Sequence, residues 1–157
     1  MEQLAQLHPV IVHFPIAFLT FYVIVEVVNS FLKKEKIQFL ASVLILAGVL
    51  TGVGAVLTGN QAEHAVEDIL KLENMHDAHE QIEEHESSAT ILLWYFAILM
   101  VVRFLFINKK SLKGINKIII TVLAIGGLYF IFITGNYGGK LVYKYGVGTE
   151  ILNEINK

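Results

Sequence analysis

The sequence predicts an all-α fold, a transmembrane four-helix bundle with a helical extension outside the membrane, and three observations carry that prediction. The chain of 157 residues is 55% hydrophobic with a mean hydropathy of +0.61, too apolar for an ordinary soluble domain and about right for one small bundle. Four apolar runs, at residues 9–32, 37–58, 88–107 and 115–134, each approach the ~20 residues that a helix needs to cross hydrocarbon. None alternates with a period of two, and only helices or closed barrels span a bilayer, so the runs are helices. A single membrane domain is expected over 1–157, with helices at about 9–32, 37–58, 76–107 and 115–135, an outer loop at 59–87 and an outer tail at 136–157.

Helix one opens on Leu7-His8-Pro9-Val10-Ile11-Val12-His13-Phe14-Pro15, which holds both prolines of the chain. Proline lacks an N–H and clashes with the preceding turn, so a helix tolerates it in its first turn and poorly inside. The helix is therefore expected to begin here, with His8 and His13 where an apolar segment meets water. The residues before it carry no positive charge and no small-residue cleavage pattern follows, so no removed signal peptide is expected.

Orientation follows from the basic residues. Lys33, Lys34 and Lys36 lie between helices one and two, and Arg103, Lys109, Lys110, Lys113 and Lys117 lie between three and four, eight of the twelve in the chain. Acidic residues show the reverse bias, with Glu63, Glu67, Asp68, Glu73, Asp77, Glu80, Glu83, Glu84 and Glu86 in the loop after helix two. Both termini are expected on the non-cytoplasmic side of the membrane. All six histidines then share that side: His8, His13, His64, His76, His79 and His85.

Helix two carries Gly48 and Gly52, a small-xxx-small face that admits close helix packing or a flat cofactor. The stretch 77–88 has no Gly or Pro and is rich in Glu, Gln and Ala, so helix three is expected to protrude above the membrane. Within it His76, His79 and Glu83 fall on one face; the plain reading is a solvated acidic surface, the sharper one a set of metal ligands. His13 and His85 adjoin apolar sequence, where an unpartnered imidazole is costly. Helix four is expected to end in a flexible Thr134-Gly135-Asn136-Tyr137-Gly138-Gly139 run that turns the chain back to the surface. Glu26 lies about 20 Å along helix one from His13 at 1.5 Å per residue, and Arg103 lies at a similar depth, so the two are expected to form a buried pair.

Taken together, the segments Leu7 to Ala17, Thr58-Gly59 with Ala62-Glu63, His85-Glu86, and Gly138-Gly139-Lys140-Leu141-Val142-Tyr143-Lys144-Tyr145-Gly146-Val147-Gly148 resemble the domain-of-unknown-function family 2231, predicted four-helix bacterial membrane proteins. The resemblance spans nearly the whole chain. It implies a place in membrane electron transfer beside cytochrome c-like or Rieske-type partners, and it singles out His8, His13 and His85. Tyr145 departs from it, since many relatives have histidine there.

The chain has no cysteine, which excludes disulfides, thiolate metal sites, cysteine nucleophiles and c-type haem attachment. No nucleophile–base pattern, phosphate-binding loop or basic nucleic-acid patch is present, so hydrolase, nucleotide and nucleic-acid roles are set aside. The leading expectation is an electron carrier, rather than a catalyst, that holds one b-type haem near the outer face. His13 and His85 are its axial pair, and His8 replaces either or bonds a propionate, since bis-imidazole ligation in a bundle suits electron transfer. The alternatives are a divalent transition metal bound or sensed by His8, Glu63, His64, His76, His79 and Glu86, and a structural subunit with no cofactor. Its surroundings are the lipid bilayer, with self-association into a homo-oligomer left open.

Overall fold

A computed structural model describes residues 2–32, 34–72, 75–108 and 114–149. Five helical elements follow one another: α1 (Glu2–Ile11), α2 (His13–Leu32), α3 (Glu35–Leu72), α4 (His76–Asn108) and α5 (Ile115–Tyr143). The first two form one rod interrupted at Val12, so the architecture is four rods, and no strand occurs among the described residues. Each of the four has an apolar stretch long enough to cross a membrane.

Helix one begins earlier than expected, at Glu2 rather than near Pro9. Pro9 sits inside α1, and the Val12 N–H still donates to the His8 carbonyl at 3.0 Å. The interruption is set by Pro15, which offers no N–H to the carbonyl of Ile11 and crowds it, so the backbone relaxes just after that residue. Helix two does not stop near Thr58 but runs on to Leu72. Its 38 residues make it about 57 Å long, roughly twice the ~30 Å of a hydrocarbon core. Helix three starts at His76 and protrudes as expected, so with the added turns of α3 the acidic segment forms a helical hairpin, because charge on Ala-, Glu- and Gln-rich sequence changes what a helix faces without ending it. Helix four likewise passes through Gly135, Gly138 and Gly139 and stops at Tyr143.

The rods pack as a ring, α2 on α3, α3 on α4, α4 on α5 and α5 on α2, with α1 also against α3. Outward faces carry Phe21, Phe31, Phe39, Leu50, Trp94 and Phe132, large apolar residues whose only suitable solvent is lipid. The interior is filled by Leu19, Tyr22, Ile45, Phe96, Leu99 and Ile120. Tyr22 of α2 and Phe96 of α4 meet edge to face across the ring, with centroids 6.2 Å apart. Gly48 lies against Leu19, which places the small-residue face of α3 in close packing with α2.

Arg103 and Glu26 form the expected pair, both with no exposed side-chain surface. Arg103 Nε donates to Glu26 Oε2 at 3.0 Å, with Nη2 2.9 Å from the same oxygen. Nη1 donates to Ser42 Oγ at 3.0 Å and Nη2 to the Gln38 carbonyl at 3.1 Å. One guanidinium on α4 therefore holds α2 and α3, using the planar fork that lysine lacks.

Beyond the apolar zone a second small core forms. Leu70, Ala78, Ile82 and Leu141 are buried there, with Val66, Met75, Tyr145 and Val147 packed on them. The chain reaches this core through a helix end at Gly146, whose φ of 69° is left-handed. Its N–H donates to the Val142 carbonyl at 3.1 Å, and the Val147 N–H donates to the Leu141 carbonyl at 2.9 Å, a cap that glycine makes without steric cost.

Glu26→Gln and Arg103→Gln should each lower stability by about 3–5 kcal/mol, because each leaves an uncompensated charge in the bundle. The double substitution should cost far less than their sum. Detergent melting of the three variants measures this; additive losses would show that the pair is not coupled.

Candidate functional site

Two half-buried imidazoles lie at the end of the bundle where α1 begins and α5 ends. His8 comes from α1 and His85 from α4, and His85 is near enough to act electrostatically on the His8 ring. Each is fixed through Nδ1. His8 Nδ1 lies 3.1 Å from Thr58 Oγ1. The Thr58 hydroxyl has its own proton engaged, donating to the Gly54 carbonyl at 2.9 Å and reaching the Ala55 carbonyl at 3.1 Å. The ring nitrogen is therefore the donor in the His8–Thr58 bond, with the Ala55 carbonyl also facing that ring. His85 Nδ1 lies 3.1 Å from the main-chain carbonyl of Thr134 on α5, and a carbonyl only accepts. Both rings thus carry the Nδ1–H tautomer when neutral, which leaves the Nε2 lone pairs as their ligating positions.

Two glycines make room for the rings. A Cβ on Gly59 would stand 3.1 Å from His8 Cε1, and one on Gly138 would stand 3.0 Å from His85 Cε1. Either methyl would crowd the imidazole, so helices α3 and α5 pass each histidine with bare backbone. The glycine run expected to turn the chain thus serves close approach within a helix. His85 also lies beside the carboxylate of Glu86.

His13 is placed differently. Its side chain is exposed, and its Nδ1 donates to the Pro9 carbonyl at 2.6 Å within the interrupted turn. The histidine that the structure brings beside His85 is His8. On the hairpin, the carboxyls of Glu63 and Glu86 lie within hydrogen-bonding reach of each other, with His64 and His79 nearby, and His79 Nε2 is 3.6 Å from Glu83 Oε1. His76 is exposed on the first turn of α4. Among the described residues, no three His, Asp or Glu side chains converge to hold a metal ion. The set His8, Glu63, His64, His76, His79 and Glu86 is therefore not gathered into one metal centre.

Sequence reasoning missed Thr58 and Thr134 as the acceptors that orient the histidines. The first left a signal, since Thr58-Gly59 stands one turn past the small residues of α3; the second acts through its main chain and left none.

A family model described as predicted membrane protein (DUF2231) matches residues 5–151. No curated protein and no solved structure matches the chain.

The orientation of both rings has a direct spectroscopic consequence. At neutral pH, 15N spectra of the histidines should show His8 and His85 protonated at Nδ1 and bare at Nε2. Thr58→Val removes the side-chain acceptor of His8 and should shift that ring towards a mixture of tautomers while His85 stays unchanged.

Proposed function

The chain belongs to the DUF2231 family of predicted membrane proteins, and on that premise we propose that it is a membrane electron carrier holding one b-type haem through His8 and His85. The observation that carries this reading is the pair of half-buried imidazoles on two helices, each donating from Nδ1 and each with Nε2 left for a metal. Histidine ligands are regularly oriented in this way by an acceptor behind the ring. The residues present fit such a group in two respects. The donor set is paired neutral imidazole, suited to haem iron, and the glycines at 59 and 138 let the rings lie against backbone. When bound, haem supplies reversible one-electron transfer. The chain's own residues orient the two ligands and surround them with apolar helices that limit the approach of water.

The segregation of basic residues supports a bacterial inner-membrane location with both termini on the non-cytoplasmic side. The acidic α3–α4 hairpin then faces the outer compartment and offers a surface for a basic redox partner of cytochrome c or Rieske type.

Visible spectroscopy of the detergent-purified protein, made with ample haem supply, tests the cofactor. The parent should give a low-spin bis-imidazole Soret band. His8→Ala and His85→Ala should lose haem or turn it high-spin, whereas His13→Ala, His76→Ala and His79→Ala should keep near-parental spectra. A parent without a Soret band would remove the haem reading, and a band surviving both His8→Ala and His85→Ala would move the ligands elsewhere.

Orientation has its own test. Cysteines placed singly at Lys34 and at Asp77 should behave oppositely towards an impermeant thiol reagent added to intact cells, with only the Asp77 position labelled. Labelling at the Lys34 position would reverse the topology.

A further inference from the structure

Three buried polar atoms on one face of α2 have no hydrogen-bond partner among the described residues: the Tyr22 hydroxyl, Glu26 Oε1 and Asn29 Nδ2. Their residues are spaced i, i+4 and i+7, so each stands one helical turn from the next. Tyr22 and Glu26 have no exposed surface and Asn29 has 1%. Polar atoms sealed at membrane depth are rarely left without a bond, because neither lipid nor bulk water can supply one.

The way the ion pair closes shows where a further partner is needed. Arg103 Nε and Nη2 both aim at Glu26 Oε2, at 3.0 and 2.9 Å, whereas a side-by-side fork would use both carboxylate oxygens. Oε1 therefore stays outside the fork, an acceptor with no donor on it. Asn29, one turn away, holds a donor with no acceptor. The two do not bond each other, and a gap between neighbouring polar groups is what a bridging water spans. The guanidinium also acts on the Tyr22 hydroxyl, but it only donates and cannot take the hydroxyl proton.

Charge and size select the occupant. A cation at Oε1 would meet the Arg103 guanidinium and an anion would meet the Glu26 carboxylate, while the pair together is neutral. The absence of exposed surface closes the site to larger molecules. Water both donates and accepts, and a buried water makes about three hydrogen bonds to groups that otherwise lack them. The geometry points to internal water bound at Glu26 Oε1: it donates to that oxygen and accepts from Asn29 Nδ2 and from the Tyr22 hydroxyl. The charged contact between α2 and α4 is then hydrated inside the bundle, with water as its third member.

Two measurements on the full chain test this. A crystal structure of the parent, at a resolution that shows ordered waters, should contain density within hydrogen-bonding distance of Glu26 Oε1. The second measurement is the sign of a melting shift. Tyr22→Phe keeps the ring against Phe96 and removes only the hydroxyl; Asn29→Leu keeps the branched shape and removes the amide. With water bound, both groups are partnered, so each substitution should lower the detergent melting temperature by about 2–4 °C, the size of one lost hydrogen bond. At a dry site each substitution removes an unsatisfied group, and the melting temperature should rise. Should Asn29→Leu fail to fold, the more conservative Tyr22→Phe carries the same test. A map without density at Oε1, or a melting temperature that holds or rises in Tyr22→Phe, overturns the proposal.

Discussion

A guanidinium and a carboxylate with no exposed surface, Arg103 and Glu26, sit among helices whose outer faces are fit only for lipid. An unpaired charge there costs several kcal/mol, so the arrangement of α2, α3 and α4 is tied to the one geometry in which Arg103 reaches Glu26, Ser42 and the Gln38 carbonyl together. Apolar packing inside a bilayer discriminates poorly between registers, because lipid tails are as apolar as leucine. The polar cluster supplies that discrimination. A slide of α4 by one turn would carry the guanidinium about 5.4 Å from its acceptors.

At the opposite end of the bundle the constraint is milder and its product is different. His8 and His85 are half-buried rather than sealed, and their partners are a hydroxyl and a main-chain carbonyl rather than charges. Such bonds fix the orientation and tautomer of a neutral ring without committing Nε2. The glycines at 59 and 138 allow the approach, since the Cβ of any other residue would crowd the ring. Structural charge at one end and uncommitted imidazole at the other divide the chain into a part that holds the fold and a part available for chemistry.

The hairpin of α3 and α4 carries helical order beyond the span, and the small core of Leu70, Ala78, Ile82 and Leu141 closes it onto the chain after α5. The cap at Gly146 is what lets Tyr145 and Val147 fold back onto that core. The C-terminal glycine-rich signature thus has separate physical roles along its length, space at Gly138 and a left-handed turn at Gly146. Tyr145 packs in this apolar cluster, and its hydroxyl accepts from Lys144 Nζ at 2.7 Å. That is a structural use of the position.

The four apolar spans and the Glu26–Arg103 pair were legible in the sequence, because hydropathy over ~20 residues and the cost of charge in lipid are local properties with few solutions. Helix limits were less so. A start at Pro9 and an end near Thr58 were inferred from composition, yet helices continue wherever backbone hydrogen bonds remain available, and neither a charged face nor an inward glycine removes them. The membrane-boundary histidines could be gathered onto one end from their positions, and His85 could be singled out. Which helix-one histidine stands beside it could not, since His8 and His13 are five residues apart on opposite sides of Val12. The turn at that residue, set by Pro15, directs His13 outward and His8 towards Thr58 and Gly59. That pairing depends on how α1 meets α3, a contact between residues 50 positions apart, and only the tertiary structure decides it.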